Sequence, residues 1–374
     1  MVKIWETGKN HIEWEEGSVC PIFKKGDQLE CRNYRGITVL NTAYKIFSNL
    51  LFAKLQPYTD KVIGNYQCGF IYIYRPQRSI IDQIHTLRQI LEKTKEYNIK
   101  TFHLFVDFKA AYDSINREKM IEAMTEFKIP KNLSISRKLL LKMYAAVLKY
   151  KKYLSEPFTI ERVLRQGDSL ACLLFNLVLE KCIRDSGLDR SGTLWNKSLQ
   201  LLAYADDIDI IGRSEKAVKE AFQALEISAT NMGLTINEDK TKFMETLPCS
   251  VNNTSFCVNG HSFERVSEFK YLGNIINDQN KLKAEINNRI KFWLTNVFFW
   301  TKEAIKIEKF FSGKTKLRLY TTLILPVLLY ASETWTLNLE TIRALETFER
   351  KTLITIFGPV KDQGCWRTTV GRKK

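Results

Sequence analysis

The stretch Leu199-Gln200-Leu201-Leu202-Ala203-Tyr204-Ala205-Asp206-Asp207-Ile208-Asp209-Ile210-Ile211-Gly212 decides how the rest of the chain is read. Two apolar runs of strand length flank the tetrapeptide Tyr204-Ala205-Asp206-Asp207. That pattern predicts a β-hairpin with adjacent carboxylates at its tip. Like charges beside a half-buried sheet repel each other and lose hydration, so they call for a counter-charge, and a divalent cation is one. Turn chemistry alone accounts for the pair equally well, because Asp favours turns whatever a protein does. Residues elsewhere decide between the two.

The first of these lies upstream, in Thr101-Phe102-His103-Leu104-Phe105-Val106-Asp107-Phe108-Lys109-Ala110-Ala111-Tyr112-Asp113-Ser114-Ile115. An apolar strand runs straight into Asp107, and a helix over 116–127 follows with Ser114 or Asn116 as its cap. Asp107 either ends the strand and no more, or serves a ligand site at the strand's carboxyl end. Downstream, Leu164-Arg165-Gln166-Gly167-Asp168-Ser169 reads as a sharp turn into a helix, with Gly167 allowing a backbone shape or a close approach that a Cβ would block. Helix 215–232 stops at Gly233, and Leu234 to Lys242 reads as a strand, a polar turn and a lysine, Lys240, aimed back at the sheet. Towards the N-terminus a helix is expected over 3–16, a strand at Cys20 to Phe23, and a basic turn at Lys24 and Lys25. Asn33 to Leu40, with Arg35, then leads into a helix around 42–57 whose Ile46, Phe47, Leu50, Leu51 and Leu55 fall at helical spacing. A helix over 79–96 and a basic amphipathic helix over 136–153 complete this part, and Phe269 to Ile276 reads as a short strand pair.

Bulk composition agrees with a folded, multi-part protein. The 374 residues are 45% hydrophobic, enough for a sizeable core, and the net charge of +16 is spread along the chain. A basic surface of this kind suits a polyanion, nucleic acid before membrane, because bound phosphates release counterions. The 8 cysteines contain no C-x-x-C pair and the 4 histidines show no zinc-ligand spacing, so a structural zinc site is not expected. The scatter points to a reducing, intracellular location, nucleus or cytoplasm, with most cysteines as small buried hydrophobes. The apolar run from Leu323 to Ala331 is broken by Pro326 and too short to span a bilayer, so it reads as buried helix and no membrane partner is expected. From residue 280 onward basic, aromatic-rich helices over 281–305, 314–333 and 339–357 form a separate cationic subdomain, and Arg367 to Lys374 read as a frayed tail.

Asp107, Asp206 and Asp207 sit on apolar strands that should share one sheet. Three converging carboxylates suit a pair of Mg²⁺ ions, with Mn²⁺ as a substitute, and such a pair promotes in-line displacement at phosphorus. Cations at 24–35 and Lys240 would hold the departing phosphates.

At this point a resemblance enters. CPIFKKGD, NYRGITVLNTAYKI, FVDFKAAYDSI, RQGDSLACLLFNLVLE, LLAYADDIDIIG, GLTINEDKTKFM and FKYLGNII occur in this order over about residues 4–358. The set resembles the reverse transcriptase of non-LTR (LINE-type) retrotransposons. The resemblance implies an α+β right-hand polymerase, with the reverse transcriptase domain over 1–276 (fingers about 1–100, palm with an antiparallel sheet about 101–276) and a helical thumb over 277–374. It implies two-metal nucleotidyl transfer, with RNA template, DNA primer, RNA–DNA duplex and dNTPs as partners. Asp107, Asp206 and Asp207 resemble the catalytic, metal-binding aspartates, and the carbonyl of Phe108 an additional metal ligand. Tyr112 matches the ring that excludes a ribose 2′-OH, and Arg35 with Lys24 or Lys25 the contacts to the triphosphate. Gln166 and Gly167 fall near nucleotide and template, Lys240 at the proton donor to pyrophosphate, and Tyr271, Leu272 and Gly273 at the primer grip.

The chain also departs from the family pattern. Gly69 to Ser79 is longer and more apolar than the usual turn, the stretch from Met143 to Leu154 is shorter, and Val163 replaces a glycine. No endonuclease block precedes residue 1 and the tail after Trp366 breaks the pattern, which implies a fragment or degenerate copy. The alternative to a polymerase is therefore a catalytically inactive retroelement remnant that binds nucleic acid.

Overall fold

A computed structural model describes residues 16–69, 79–130, 144–150, 152–160, 164, 167–188, 199–247, 255–292, 312–358, 360–362 and 365–367. The chain divides into two compact units, residues 1–79 with 99–266 and residues 80–98 with 267–374. Helices combine with largely antiparallel sheets, so the expected α+β class holds. Each of the two larger sheets carries one parallel pair, Glu16–Phe23 with Tyr144–Tyr150 and Lys242–Glu245 with His261–Val266, the latter in the sheet expected to be purely antiparallel.

In the first unit, β1 (Glu16–Phe23) and β2 (Tyr34–Val39) pair antiparallel. β3 (Phe102–Val106) follows after the residues that belong to the second unit. β4 (Tyr144–Tyr150) lies parallel to β1 and antiparallel to both β5 (Tyr153–Leu154) and β6 (Phe158–Ile160). The strands β1, β2, β4, β5 and β6 make one sheet. The other contains β7 (Leu199–Tyr204), β8 (Asp207–Gly212), β9 (Lys242–Glu245), β10 (Ser255–Val258) and β11 (His261–Val266), in the order β10-β11-β9-β3-β8-β7. β3 sits between β9 and β8, antiparallel to both. A strand paired on both edges and covered on both faces is apolar except where a buried polar group finds a partner. That is why Phe-His-Leu-Phe-Val runs without alternation and its one polar residue, His103, pairs with Asp209. Its Leu104 and Val106 join one core with Phe175 and Leu177 of helix Ser169–Asp185, Met120 of Arg117–Glu126 and Phe222 of Glu215–Asn231. Caps fall where the chain places them: Asn116 accepts from Glu118 and Lys119 N–H, and Asp168 from Leu170 N–H.

Four expectations need correcting. Residues 144–150 are strand, not part of a basic amphipathic helix. Tyr144, Val147 and Tyr150 favour extended backbone, and β1 and β6 supply pairing on either side that no local pattern announces. Helix Thr42–Val62 continues past Pro57, and only Phe47, Leu51 and Leu55 of the expected apolar face are buried, with Ile46 51% and Leu50 49% exposed. Of the six cysteines whose burial is described, only Cys68 and Cys182 are buried, while Cys31 and Cys257 are exposed. In the Leu323 to Ala331 run, Ile324, Leu328 and Ala331 are buried but Leu323, Val327, Leu329 and Tyr330 are exposed, so the run is one buried stripe on an irregular helix. Within the tail, Arg367 closes a short strand paired to Val360. Of the helix expected over 3–16, Glu16 instead opens β1, and residues 3–15, with 70–78, 131–143, Val163 and Gln166, lie outside the described residues.

The second unit contains helix Ile80–Glu96, whose Ile84, Leu87 and Leu91 are buried and whose His85 is exposed, and the hairpin of β12 (Glu268–Tyr271) and β13 (Asn274–Asn277). Helices Lys283–Phe292, Gly313–Leu319 and Leu339–Phe357 follow. Tyr320, Ile324, Leu328, Phe348 and Ile356 form its core. Buried Arg289 neutralises Glu285 of its own helix and donates to Asn274 Oδ1 (2.8 Å) and the Leu328 carbonyl (3.1 Å), so its charge is fully engaged.

Candidate active site

β7 and β8 are joined by a two-residue turn, since Tyr204 still pairs with Asp207. Ala205 takes the left-handed conformation (φ 54°) that such turns need and L-residues resist. Antiparallel pairing of Val106 with Ile208, carried one position further, sets Asp107 opposite Asp207. The two informative stretches are thus neighbours in one sheet, and all three carboxylates come to one end of it.

The segment after Gly233 wraps Asp107. Phe108 forms a bridge with Ile236, Lys109 N–H donates to Thr235 O (2.8 Å), and Asn237 N–H donates to Asp107 O (2.8 Å). The Asp107 carboxylate accepts from Asn237 Nδ2 (2.9 Å) and Lys240 Nζ (3.2 Å) on the same oxygen, and its N–H donates to Thr241 Oγ1 (3.2 Å). Lys240 therefore does point back at the sheet. Asn237 and Thr241 were missed in the sequence, although both stand in the polar turn that had already been singled out.

Electrostatics tie the remaining residues to the same place. Burial holds the Asp206 carboxyl above the usual carboxylate range, Asp107 adds repulsion, and Arg35 and Lys240 draw it back. Asp207 keeps an exposed face, yet the surrounding protein strips enough water, with repulsion from Asp206 and Asp107, to push it up to about 6. Lys24 is lowered, first by loss of hydration and then by Arg35 and Lys240, against the pull of Asp107 and Asp113. Lys24, Arg35 and Lys240 thus act on the carboxylates together as one cationic rim, and Lys25 is exposed. Tyr112 stacks on Phe175 (ring centroids 4.8 Å apart, planes 25° apart), and its hydroxyl is pushed well above the normal range by burial, with Cys172 and Asp206 contributing. Gly167 adopts φ 110°, and a Cβ there would stand 3.1 Å from Thr38 O of β2, so glycine lets this turn close against the strand that carries Arg35. Asp168, next to it, accepts from Tyr44 OH (3.0 Å) and Ser48 OH as well as capping its helix.

A model of the family described as reverse transcriptase (RNA-dependent DNA polymerase) matches residues 22–276. The chain belongs to the reverse transcriptase family. It is 24% identical over 246 residues to the 149 kDa protein of transposon TX1 from Xenopus laevis, covering 64% of this chain and 18% of that protein. It is 24% identical over 216 residues to the Pol polyprotein of retrotransposable element R2 from Nasonia vitripennis, covering 52% of this chain and 20% of that one. A Pol polyprotein of R2 from Popillia japonica matches 91% of the chain at 21% identity, over 47% of its own length. The chain thus spans a fifth to a half of these relatives. Among solved structures, apo telomerase from Candida tropicalis truncated of its C-terminal domain has a TM-score of 0.49 at 17% identity, covering 73% of this chain and 55% of that one. The non-LTR resemblance carried by the ordered blocks agrees with the retrotransposon relatives.

The expected primer-grip residues lie in the second unit, at the β12–β13 turn. Leu272 (φ 45°) and Gly273 (φ 84°) make the turn, Tyr271 is buried, and Leu272 O accepts from Tyr330 OH (3.1 Å).

As for a metal, no three acidic, His or Cys side chains among the described residues already stand at ion-holding distances. The donor set still fits a hard cation: three carboxylates offer oxygen only, and two are raised by burial and mutual repulsion that a divalent ion would relieve. No described helix is long and apolar enough to cross a membrane.

Proposed function

We propose that this chain is the polymerase module of a non-LTR retrotransposon, extending a DNA primer on an RNA template by transfer of dNTPs to the primer 3′-OH. The observation that carries the proposal is the meeting of Asp107 with Asp206 and Asp207 on adjacent strands, inside a rim of Lys24, Arg35 and Lys240. Asp107, Asp206, Asp207 and the Phe108 carbonyl would hold two Mg²⁺ ions, which when bound supply activation of the attacking oxygen and neutralisation of charge at the reacting phosphorus. Arg35 and Lys24 bind the triphosphate, Arg35 through its forked geometry. Lys240, held 3.2 Å from Asp107, is placed to give a proton to the leaving pyrophosphate. The Tyr112 ring, fixed by Phe175, lies against the sugar and leaves no room for a 2′-OH. Tyr271 to Gly273 and the basic helices of the second unit grip the primer–template phosphates.

Primer extension on poly(rA)/oligo(dT) with Mg²⁺ tests the reading. Incorporation of dTMP that disappears in Asp206→Ala supports it. Salt-sensitive duplex binding without any incorporation refutes it in favour of a silent nucleic-acid-binding remnant.

A further inference from the structure

The catalytic turn is held by a segment the reaction itself does not use. Residues 64–69 run beside β7: Ala203 N–H donates to Tyr66 O and Cys68 N–H to Ala203 O, both at 2.9 Å, a parallel bridge centred on Gln67. From there the Gln67 side chain, only 1% exposed, reaches the tip. Its Oε1 accepts from Ala205 N–H (2.7 Å) and Gly69 N–H (2.8 Å), and its Nε2 donates to Ala205 O (3.3 Å). Two backbone donors converging on one atom require the oxygen there, so the amide orientation follows from the network. Gln67 thereby bonds both backbone groups of the one residue in the turn with left-handed φ.

The segment is anchored in turn. Asn176, 1% exposed on helix Ser169–Asp185, donates to Gly69 O (2.9 Å). One helical turn on, buried Glu180 accepts from Gly64 N–H (3.0 Å) and Tyr66 OH. Gly69 has to be glycine, because a Cβ would stand 2.1 Å from Ala205 N. A backbone conformation that L-residues avoid persists only where its surroundings over-determine it, and such places cluster at functional sites. Here the surroundings are Gln67, and the residues that follow Ala205 are Asp206 and Asp207.

We infer that Gln67, seated by Gly69 and Asn176, is a positioning residue that holds the Ala205 backbone and so sets the placement of Asp206 and Asp207 for nucleotidyl transfer. This rests on the polymerase reading. Gln67 touches neither substrate nor metal position. It acts through the turn.

The test compares the parent chain with Gln67→Met, Gly69→Ala and the double variant. Single-turnover dTMP incorporation on poly(rA)/oligo(dT) separates the rate per active enzyme from the active fraction. Hydrogen exchange at the Ala205 amide of the free protein reads the clamp without any activity. A misplacement of about 1 Å lowers the single-turnover rate by about 100-fold, with duplex affinity and active fraction held close to the parent. The double variant is no slower than the worse single one, because both displace the same atoms. Ala205 exchange rises by about tenfold while the β3 amides stay protected. A rate per active enzyme equal to the parent's, with only the active fraction reduced, overturns the inference, as does unchanged Ala205 exchange. An inactive parent chain refutes the polymerase reading instead, and the clamp then stands or falls on the exchange rates.

Discussion

Replacing Lys240 by methionine separates an ordinary ion pair from a catalytic one, because the two roles differ widely in size. Lys240 Nζ lies 3.2 Å from Asp107 Oδ2, but the lysine side chain is 65% exposed and the carboxylate 24%. At that distance the attraction is about 1 kcal/mol in a water-like dielectric. Screening and the entropy of holding a long side chain reduce it to about 0.5 kcal/mol for a pair this open. Asp107 keeps its bond from Asn237 in the variant, so its carboxylate is not left without a donor. Unfolding by urea should therefore move by no more than about 0.5 kcal/mol. Loss of a proton donor to the leaving group costs about 100-fold or more, near 3 kcal/mol in the barrier. The assay is single-turnover incorporation of one dTMP at saturating Mg²⁺, beside urea unfolding of the same preparations. A rate within about threefold of the parent's would refute the assignment, since no general acid is worth so little. A stability loss above about 2 kcal/mol would refute the reasoning from the other side, showing Lys240 to be structural.

Three further outcomes follow from the same geometry. Asp207 is raised from 3.8 to about 6, so the fold favours its protonated form: that stabilisation is present at low pH and is lost as pH rises from 3.8 through about 6. The metal-free chain should thus lose stability over that window relative to Asp207→Asn. Below about 6 protons compete with Mg²⁺, so the concentration giving half-maximal incorporation rises as pH falls; a half-maximal concentration that is flat between pH 5 and 7 would contradict this. Tyr112→Ala should raise rNTP relative to dNTP incorporation, and Phe175→Ala should do the same more weakly by freeing the ring, read as the ratio of the two kcat/KM values. His103 pairs with Asp209 at 3.2 Å with both side chains fully buried, so His103→Leu should cost about 3–5 kcal/mol in urea unfolding. The double variant with Asp209→Leu should recover much of it, and a double loss equal to the sum of the two single losses would show that the pair is not coupled.

The chain's chemistry could be read from local pattern. Apolar runs of strand length announced β7, β8 and β3, a strand-ending aspartate marked Asp107, and an Asp-Asp pair between two strands marked the turn. These signals are local because a carboxylate at the end of a strand lies where the strand puts it. The ordered blocks then fixed family, fold class and the roles expected of Arg35, Tyr112 and Lys240. Reading failed where pairing is remote. Residues 144–150, with Lys149 and two tyrosines among apolar neighbours, continue the pattern of a surface helix, and only the arrival of β1 and β6 makes them a strand. Leu323, Val327 and Leu329 are as apolar as Leu328, and burial depends on which side the core lies.

Tertiary structure alone decided how the site is held. The bond from Asn237 to Asp107, the stack of Tyr112 on Phe175, and the reach of Gln67 to Ala205 each join segments that no pattern relates. Periodicity constrains which face a residue occupies on its own element, whereas hydrogen bonds between elements depend on the distances that packing leaves between them. Sequence by itself therefore determined which carboxylates and cations this chain brings to one end of its six-stranded sheet. Packing determined that the turn carrying two of them is left-handed at Ala205 and clamped there by a buried glutamine.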